Sequence, residues 1–152
     1  MTNPGTLYQQ IILRHSRESP HERRIAPPRV EGSGNNPRCG DVVQVAIRVE
    51  GGVISEAGFT GEGCALSRAS ASLLCEAIQG QSVAAALRLA AELRVLLSRS
   101  EPSTQGWESL GRLAALSAAA DFPARHRCVT LAWSALEEAI RALPSGLDVD
   151  RQ

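Results

Sequence analysis

Val43-Gln44-Val45-Ala46-Ile47-Arg48-Val49-Glu50-Gly51-Gly52-Val53-Ile54-Ser55-Glu56-Ala57-Gly58-Phe59-Thr60 is the stretch whose pattern sets the fold class. Val43, Val45, Ile47 and Val49 alternate with Gln44, Ala46, Arg48 and Glu50, the period of a half-buried strand. Gly51-Gly52 then offers a two-residue turn that tolerates positive φ at both positions. Val53 to Thr60 returns as the partner strand, with Val53, Ala57 and Phe59 on one face. An antiparallel hairpin is the expectation.

Toward the C-terminus, Gly61-Glu62-Gly63 breaks the strand and Cys64 opens a helix to about Gln79, closed by Gly80. Ser82 is placed to cap a second, Ala/Leu-rich helix reaching about Ser98. Glu101 to Gly106 reads as a loop, and Trp107 to Ala120 as a helix weakened near Gly111. Phe122-Pro123 is expected to stop it, with a last helix from Cys128 to Leu143, ended by Pro144. Toward the N-terminus, Leu7 to Arg17 is a short amphipathic helix with Leu7, Ile11 and Ile12 on one side. Between it and the hairpin, Glu18 to Arg38 is rich in Pro, Gly, Asn and Arg and reads as one long loop. Two strands followed by helices predict an α+β fold, a small antiparallel sheet packed against a layer of helices. The chain reads as a single domain, 1–152, with its core at about 7–143 and a frayed tail over 144–152.

The 152 residues carry 16 basic and 16 acidic side chains, which argues against broad electrostatic capture of nucleic acid. Aromatic residues make up 3% of the chain, too few for a base-stacking surface. Apolar runs such as Val83 to Leu87 are too short to span a bilayer. Met1 to Tyr8 lacks a basic region followed by an apolar run, so a cytoplasmic location is expected, with no nucleic acid and no membrane as partner. In a reducing compartment four cysteines are read as metal ligands or reactive thiols before a disulfide framework.

Cys39-Gly40-Asp41 precedes the first hairpin strand, and in an extended segment residues i and i+2 point the same way. Cys64 stands at a helix N-terminus, where the amide dipoles favour a thiolate. Cys128 is expected near another helix start, beside Arg125 and Arg127. Three thiols and a carboxylate can hold one tetrahedral zinc. Gaps of this size match no compact zinc-finger pattern, so spacing alone leaves ordinary buried cysteines equally open. Cys75 is set apart: it follows Cys64 by about three turns, roughly 16 Å of helix. Flanked by Leu73, Leu74 and Ile78, it reads as a small core residue.

Three motifs go further than spacing. Asn36-Pro37-Arg38-Cys39-Gly40-Asp41 resembles the N-P-x-C-G-D segment of the IscU/NifU/SufU family. Phe59-Thr60-Gly61-Glu62-Gly63-Cys64-Ala65-Leu66-Ser67 resembles its F-x-G-x-G-C-A-x-S segment, including the small residues Ala69 to Ser72 that follow. Phe122-Pro123-Ala124-Arg125 with Cys128-Val129-Thr130-Leu131-Ala132-Trp133 resembles F-P-x-R-x-x-C-x-x-L-x-W of the SufU branch. Leu7 to Leu13 is similar to the family's first helix. The long stretch 91–120 and Arg127 in place of a histidine before Cys128 also favour that branch, and the chaperone motif Leu-Pro-Pro-Val-Lys of IscU-like members is missing. Arg14-His15-Ser16 departs from the family's usual Asp-His-Tyr, and Glu18 to Arg24 from its Asn-Pro loop, which bears on the choice of partner. His126 lies one position off the IscU histidine and, like Arg23-Arg24, reads as solvated surface.

The resemblance implies a SufE/NifU-like fold and a metal set of Cys39, Asp41, Cys64 and Cys128. It implies zinc as cofactor, or a transient iron–sulfur cluster held by Cys39, Cys64 and Cys128. Cys39 takes the place of the family's sulfur acceptor, and Arg125 that of a residue supporting the site or touching the partner. The implied partners are a SufS-like cysteine desulfurase and downstream iron–sulfur assembly proteins. Three functions stay open at this stage: zinc-dependent sulfur transfer, a scaffold for cluster assembly, and a purely structural zinc site. Asp41 weighs against the third, because closed structural sites usually draw on Cys and His alone.

Overall fold

A computed structural model describes residues 4–19, 21–37, 40–98, 106–120 and 122–144. Cys39, most of the loop expected from Glu101, and the tail from Ser145 lie outside them. Elements run in the order α1 (Pro4–Arg17), β1 (Val30–Asn36), β2 (Asp41–Glu50), β3 (Val53–Glu62), α2 (Ala65–Ile78), α3 (Val83–Leu97), a 3₁₀ segment (Trp107–Ala119) and α4 (Pro123–Arg141). The three strands form one antiparallel sheet in the order β1-β2-β3.

The hairpin of β2 and β3 stands as expected, with Gly51 and Gly52 at φ 61° and 80°. One detail differs. A bulge shifts the register between Arg48 and Val49, pairing Val49 with Ile54 and Glu50 with Val53. The extra residue changes which side chain faces inward. Ile54 is therefore fully buried, whereas Val53, expected on the inner face, is exposed. Val43, Val45, Ile47, Ala57 and Phe59 complete the buried face of the hairpin. They meet Leu74, Cys75 and Ile78 of α2 and Val129, Ala132, Trp133 and Leu136 of α4 in one apolar core.

β1 is a correction to the sequence reading, which gave 18–38 to a single loop. Its glycines serve packing rather than turning. A Cβ on Gly32 would lie 2.0 Å from the Ala135 carbonyl oxygen, and one on Gly34 would lie 2.4 Å from that of Leu131. The helix backbone of α4 presses against the strand at both points, and no residue with a side chain fits there. The preceding stretch crosses the far side of the sheet, where Ile25 is buried and the Arg23 carbonyl sits over Gly58. Arg48 holds that crossing by donating to the carbonyls of Ala26 at 2.6 Å and Pro28 at 3.3 Å. The outer edge of β3 is paired as well. Phe59 N–H donates to His21 O at 3.0 Å, Arg23 N–H to Phe59 O at 2.9 Å, and Ile54 N–H to Gln81 O at 2.8 Å.

The helix ends follow local chemistry. Ser82 caps α3 as expected, accepting from Ala85 N–H at 3.0 Å. Gly111, at φ 60° and ψ −131°, kinks the 3₁₀ segment. The expectation for the last helix needs correcting: Pro123 begins α4 instead of standing clear of it. A proline at the first helical position loses no hydrogen bond and arrives with a suitable φ. Cys128 consequently sits in the second turn of α4, and His126 belongs to the helix rather than to a loop. Among the described residues, no helix is long and apolar enough to cross a membrane.

Candidate metal centre

β2 begins where β1 ends, with Asn36 and Asp41 as register partners and Gly40 N–H donating to Asn36 O at 2.8 Å. Asp41 is 4% exposed and points toward the start of α2. There Cys64 occupies the N-cap position in extended conformation and uses no side-chain capping bond of its own. Asp41 supplies an acceptor instead: its Oδ1 takes the Cys64 N–H at 3.3 Å, and its Oδ2 takes the Ser67 hydroxyl at 2.6 Å. A carboxylate at a helix N-terminus meets both unpaired amides and the positive end of the helix dipole. Gly63 makes the approach possible, since a Cβ there would lie 3.1 Å from the Asp41 carboxyl carbon.

Cys128, 4% exposed, reaches the same place from α4. Helix α4 is held against α2 one turn further on. Ser70 Oγ donates to Val129 O at 2.6 Å and accepts from Trp133 Nε1 at 3.3 Å. The outcome is a cluster in which one ligand atom each from Asp41, Cys64 and Cys128 lie within 4.8 Å of one another. Residues 23 and 64 positions apart in sequence thus share one site, built from a strand start, a helix cap and a helix side.

Ser67 is the site residue that sequence reasoning passed over. It is fully buried, and its Oγ also lies 3.5 Å from Cys64 Sγ. The signal was available in the spacing, because positions i and i+3 of a helix share a face. Arg68, next along α2, ties in the region that departs from the family pattern. It pairs with Glu22 and donates to Gly61 O at 3.4 Å and Ser16 O at 3.5 Å. Arg125 lies exposed in the first turn of α4. His126 Nε2–H donates to the Ala120 carbonyl at 2.9 Å, which joins α4 to the 3₁₀ segment.

Cys75 is kept away from this cluster. It is fully buried in the core, and burial pushes its thiol up to about 12. Beside it on α2 lies a second polar group with a different character. His15 of α1, 5% exposed, has Nδ1 2.7 Å from Ser72 Oγ and Nε2 3.7 Å from a Glu76 carboxylate oxygen. Burial lowers the pKa of His15 below the usual histidine value, against the pull of Glu76. A cavity of about 350 Å³ opens there between Arg14, His15, Glu18, Glu76 and Arg112.

Comparisons with known proteins bear on the whole architecture. Residues 7–145 match the family model described as the NifU-like N terminal domain. The chain is 34% identical over 138 residues to the zinc-dependent sulfurtransferase SufU of Bacillus subtilis, covering 91% of this chain and 92% of that one. It is 36% identical over 136 residues to the iron–sulfur cluster assembly scaffold protein IscU of Streptococcus pyogenes, covering 89% and 83%. Among solved structures, an assembly scaffold protein described for the SUF system of Fervidobacterium islandicum superposes with a TM-score of 0.77 at 26% identity, covering 90% and 98%. The sheet and its helical layer agree with the solved relative, and the chain belongs to the NifU-like N terminal domain family as a SufU-like member.

Proposed function

We propose that this protein takes part in iron–sulfur cluster assembly as a zinc-dependent sulfur acceptor, receiving persulfide sulfur from a cysteine desulfurase. The observation that carries the reading is the convergence of Asp41, Cys64 and Cys128 within 4.8 Å. The donor set fits the ion. Zinc takes thiolate and carboxylate ligands at about 2.0–2.3 Å, so two sulfurs and an oxygen this close need little side-chain rotation to share it. Cys39 supplies the fourth ligand in this reading. It is joined to Asp41 through Gly40 alone, so their Cα atoms lie within about 7 Å of each other. When bound, zinc stabilises thiolates at neutral pH and links the elements that carry them.

The remaining chemistry belongs to the side chains. The Cys39 thiolate attacks the outer sulfur of the donor's persulfide. A bond forms between Cys39 and that sulfur as the donor's own sulfur–sulfur bond breaks, and the donor leaves as a thiolate. No net oxidation occurs. Asp41, Cys64 and Cys128 stay on packed elements and keep the site assembled, and exposed Arg125 offers a cation where the donor arrives. A second reading, favoured by the likeness to IscU proteins, makes Cys39, Cys64 and Cys128 the ligands of a transient cluster built as cargo. Arg127 before Cys128, in place of the histidine of IscU-like members, weighs toward sulfur transfer. The deciding experiment is persulfide mapping by mass spectrometry after incubation with a desulfurase and free cysteine. Added sulfur is expected on Cys39, and a label confined to Cys64 or Cys128 would overturn the assignment.

A further inference from the structure

Asp41 is an unusual member of its cluster, because a carboxylate on a short side chain can present either oxygen, or both, to an ion. Something must decide which. Two donors from the start of α2 reach it, and they differ in strength. The Ser67 hydroxyl approaches Oδ2 at 2.6 Å, the distance of a charge-assisted bond, whereas the Cys64 amide approaches Oδ1 at 3.3 Å. Ser67 has one hydroxyl proton, and Oδ2 is a far better acceptor at that distance than Cys64 Sγ at 3.5 Å. With Ser67 fully buried and Asp41 4% exposed, water has little access to substitute for the Ser67 contact.

We infer that Ser67 is a positioning residue that clamps Oδ2 of Asp41 and thereby aims the carboxylate at the site shared with Cys64 and Cys128. The inference rests on the metal-site reading above and assigns that site its outer-shell donor. Ser67 suits the task because its backbone is fixed in the first turn of α2, the same turn that Cys64 caps. The Cys64 thiol and the Ser67 hydroxyl are therefore carried by one rigid unit, against which the carboxylate from β2 rests. Hydrogen bonds of this kind orient the side chains that ligate a metal, and their loss typically costs about 10–100-fold in metal affinity.

Ser72 provides an internal control. It lies on the same helix, is equally buried and shares a hydrogen bond of 2.7 Å, but with His15 Nδ1 rather than with a ligand. The test measures zinc affinity by chelator competition and the visible spectrum of the cobalt-substituted protein. It compares wild type, Ser67→Ala, Ser72→Ala, Asp41→Ala and the Asp41→Ala/Ser67→Ala double variant, with folding followed by circular dichroism. Ser67→Ala is expected to weaken zinc binding about 10–100-fold and to alter the cobalt spectrum. Ser72→Ala should lower the melting temperature and leave affinity and spectrum unchanged. In the double variant, loss of Ser67 should add nothing to loss of Asp41, as expected for residues that act as a pair. Wild-type affinity and spectrum in Ser67→Ala would overturn the inference, as would equal losses with and without Asp41. Should Ser67→Ala fail to fold, Ser67→Thr keeps the hydroxyl and must retain the wild-type cobalt spectrum; a changed spectrum overturns the inference. Wild-type protein that binds no zinc would overturn the site reading itself, together with this one.

Discussion

The two halves of α2 carry the same residue type to opposite ends. At its N-terminus Cys64 is half-buried, caps the helix, and shares a cluster with Asp41 and Cys128. In its C-terminal half Cys75 is fully buried among Leu74, Ile78 and the sheet, and its thiol is pushed up to about 12. The polar neighbours divide in the same way. Ser67 serves a carboxylate at the site, while Ser72 serves His15 at a helix–helix contact. What separates a site from a core here is position along one helix. The first half opens onto a cluster of polar side chains, and close packing seals the second half into the core.

The largest expected effect comes from exchanging the two cysteines in turn. Cys64→Ala should weaken zinc binding by more than the roughly 100-fold upper limit usual for outer-shell changes. Cys75→Ala should leave zinc content unchanged, and loss of zinc from that variant would break the contrast. Chelation follows in size. With free zinc at about a thousand times its Kd, binding to the folded state contributes about 4.1 kcal/mol, so removing the ion should lower Tm by about 8–16 °C. An unchanged melting curve would show that the N-terminal half needs no metal to hold its shape. The third effect sharpens the other side. Cys75→Ala leaves a small defect in packing, with a cost of about 1 kcal/mol and a Tm lower by about 2–4 °C.

The smallest effect concerns pH, read on chelated protein so that metal linkage does not contribute. Burial lowers the pKa of both His15 and His21 in the fold, whereas in the unfolded chain they ionise near 6.5. Below that value the unfolded chain binds more protons, so stability should fall as pH drops from about 7 to about 5. His15→Gln keeps a hydrogen-bonding group beside Ser72 and removes one titration. It should flatten that slope without abolishing it, since His21 acts in the same direction. A steeper slope in the variant would show that His15 is charged inside the fold.

Much of this was legible in the sequence where a local rule was also the structural rule. Alternation at Val43 to Val49, the Gly51-Gly52 turn and the Ser82 cap each depend on neighbours in sequence, and each stands in the structure. β1 was illegible because Gly32 and Gly34 look like turn residues until α4 is placed against them. The start of α4 was misplaced because Phe122-Pro123 can end one helix or begin the next. Val53 was turned outward by a bulge that no period of two reveals. The site was legible through its motifs rather than its spacing. Asp41, Cys64 and Cys128 come from a strand, a cap and a helix side, and sequence distance says nothing about their separation. Ser67 stood inside one of those motifs, and only the geometry gave it a task.

One further consequence lies in the pairing of Phe59 with His21 and Arg23. An outer strand with open amides and carbonyls is a template for pairing with another chain. The stretch around Glu22 fills that template, and the Arg68–Glu22 pair fastens it down. A shortened variant starting after Arg24 would expose β3 at the level of Phe59, only a few residues from Cys64. Its characteristic failure would be self-association through the sheet, with the cysteines of neighbouring molecules brought close together. The stretch around Glu22 therefore acts as a cover for the β3 edge as well as a tie to α2.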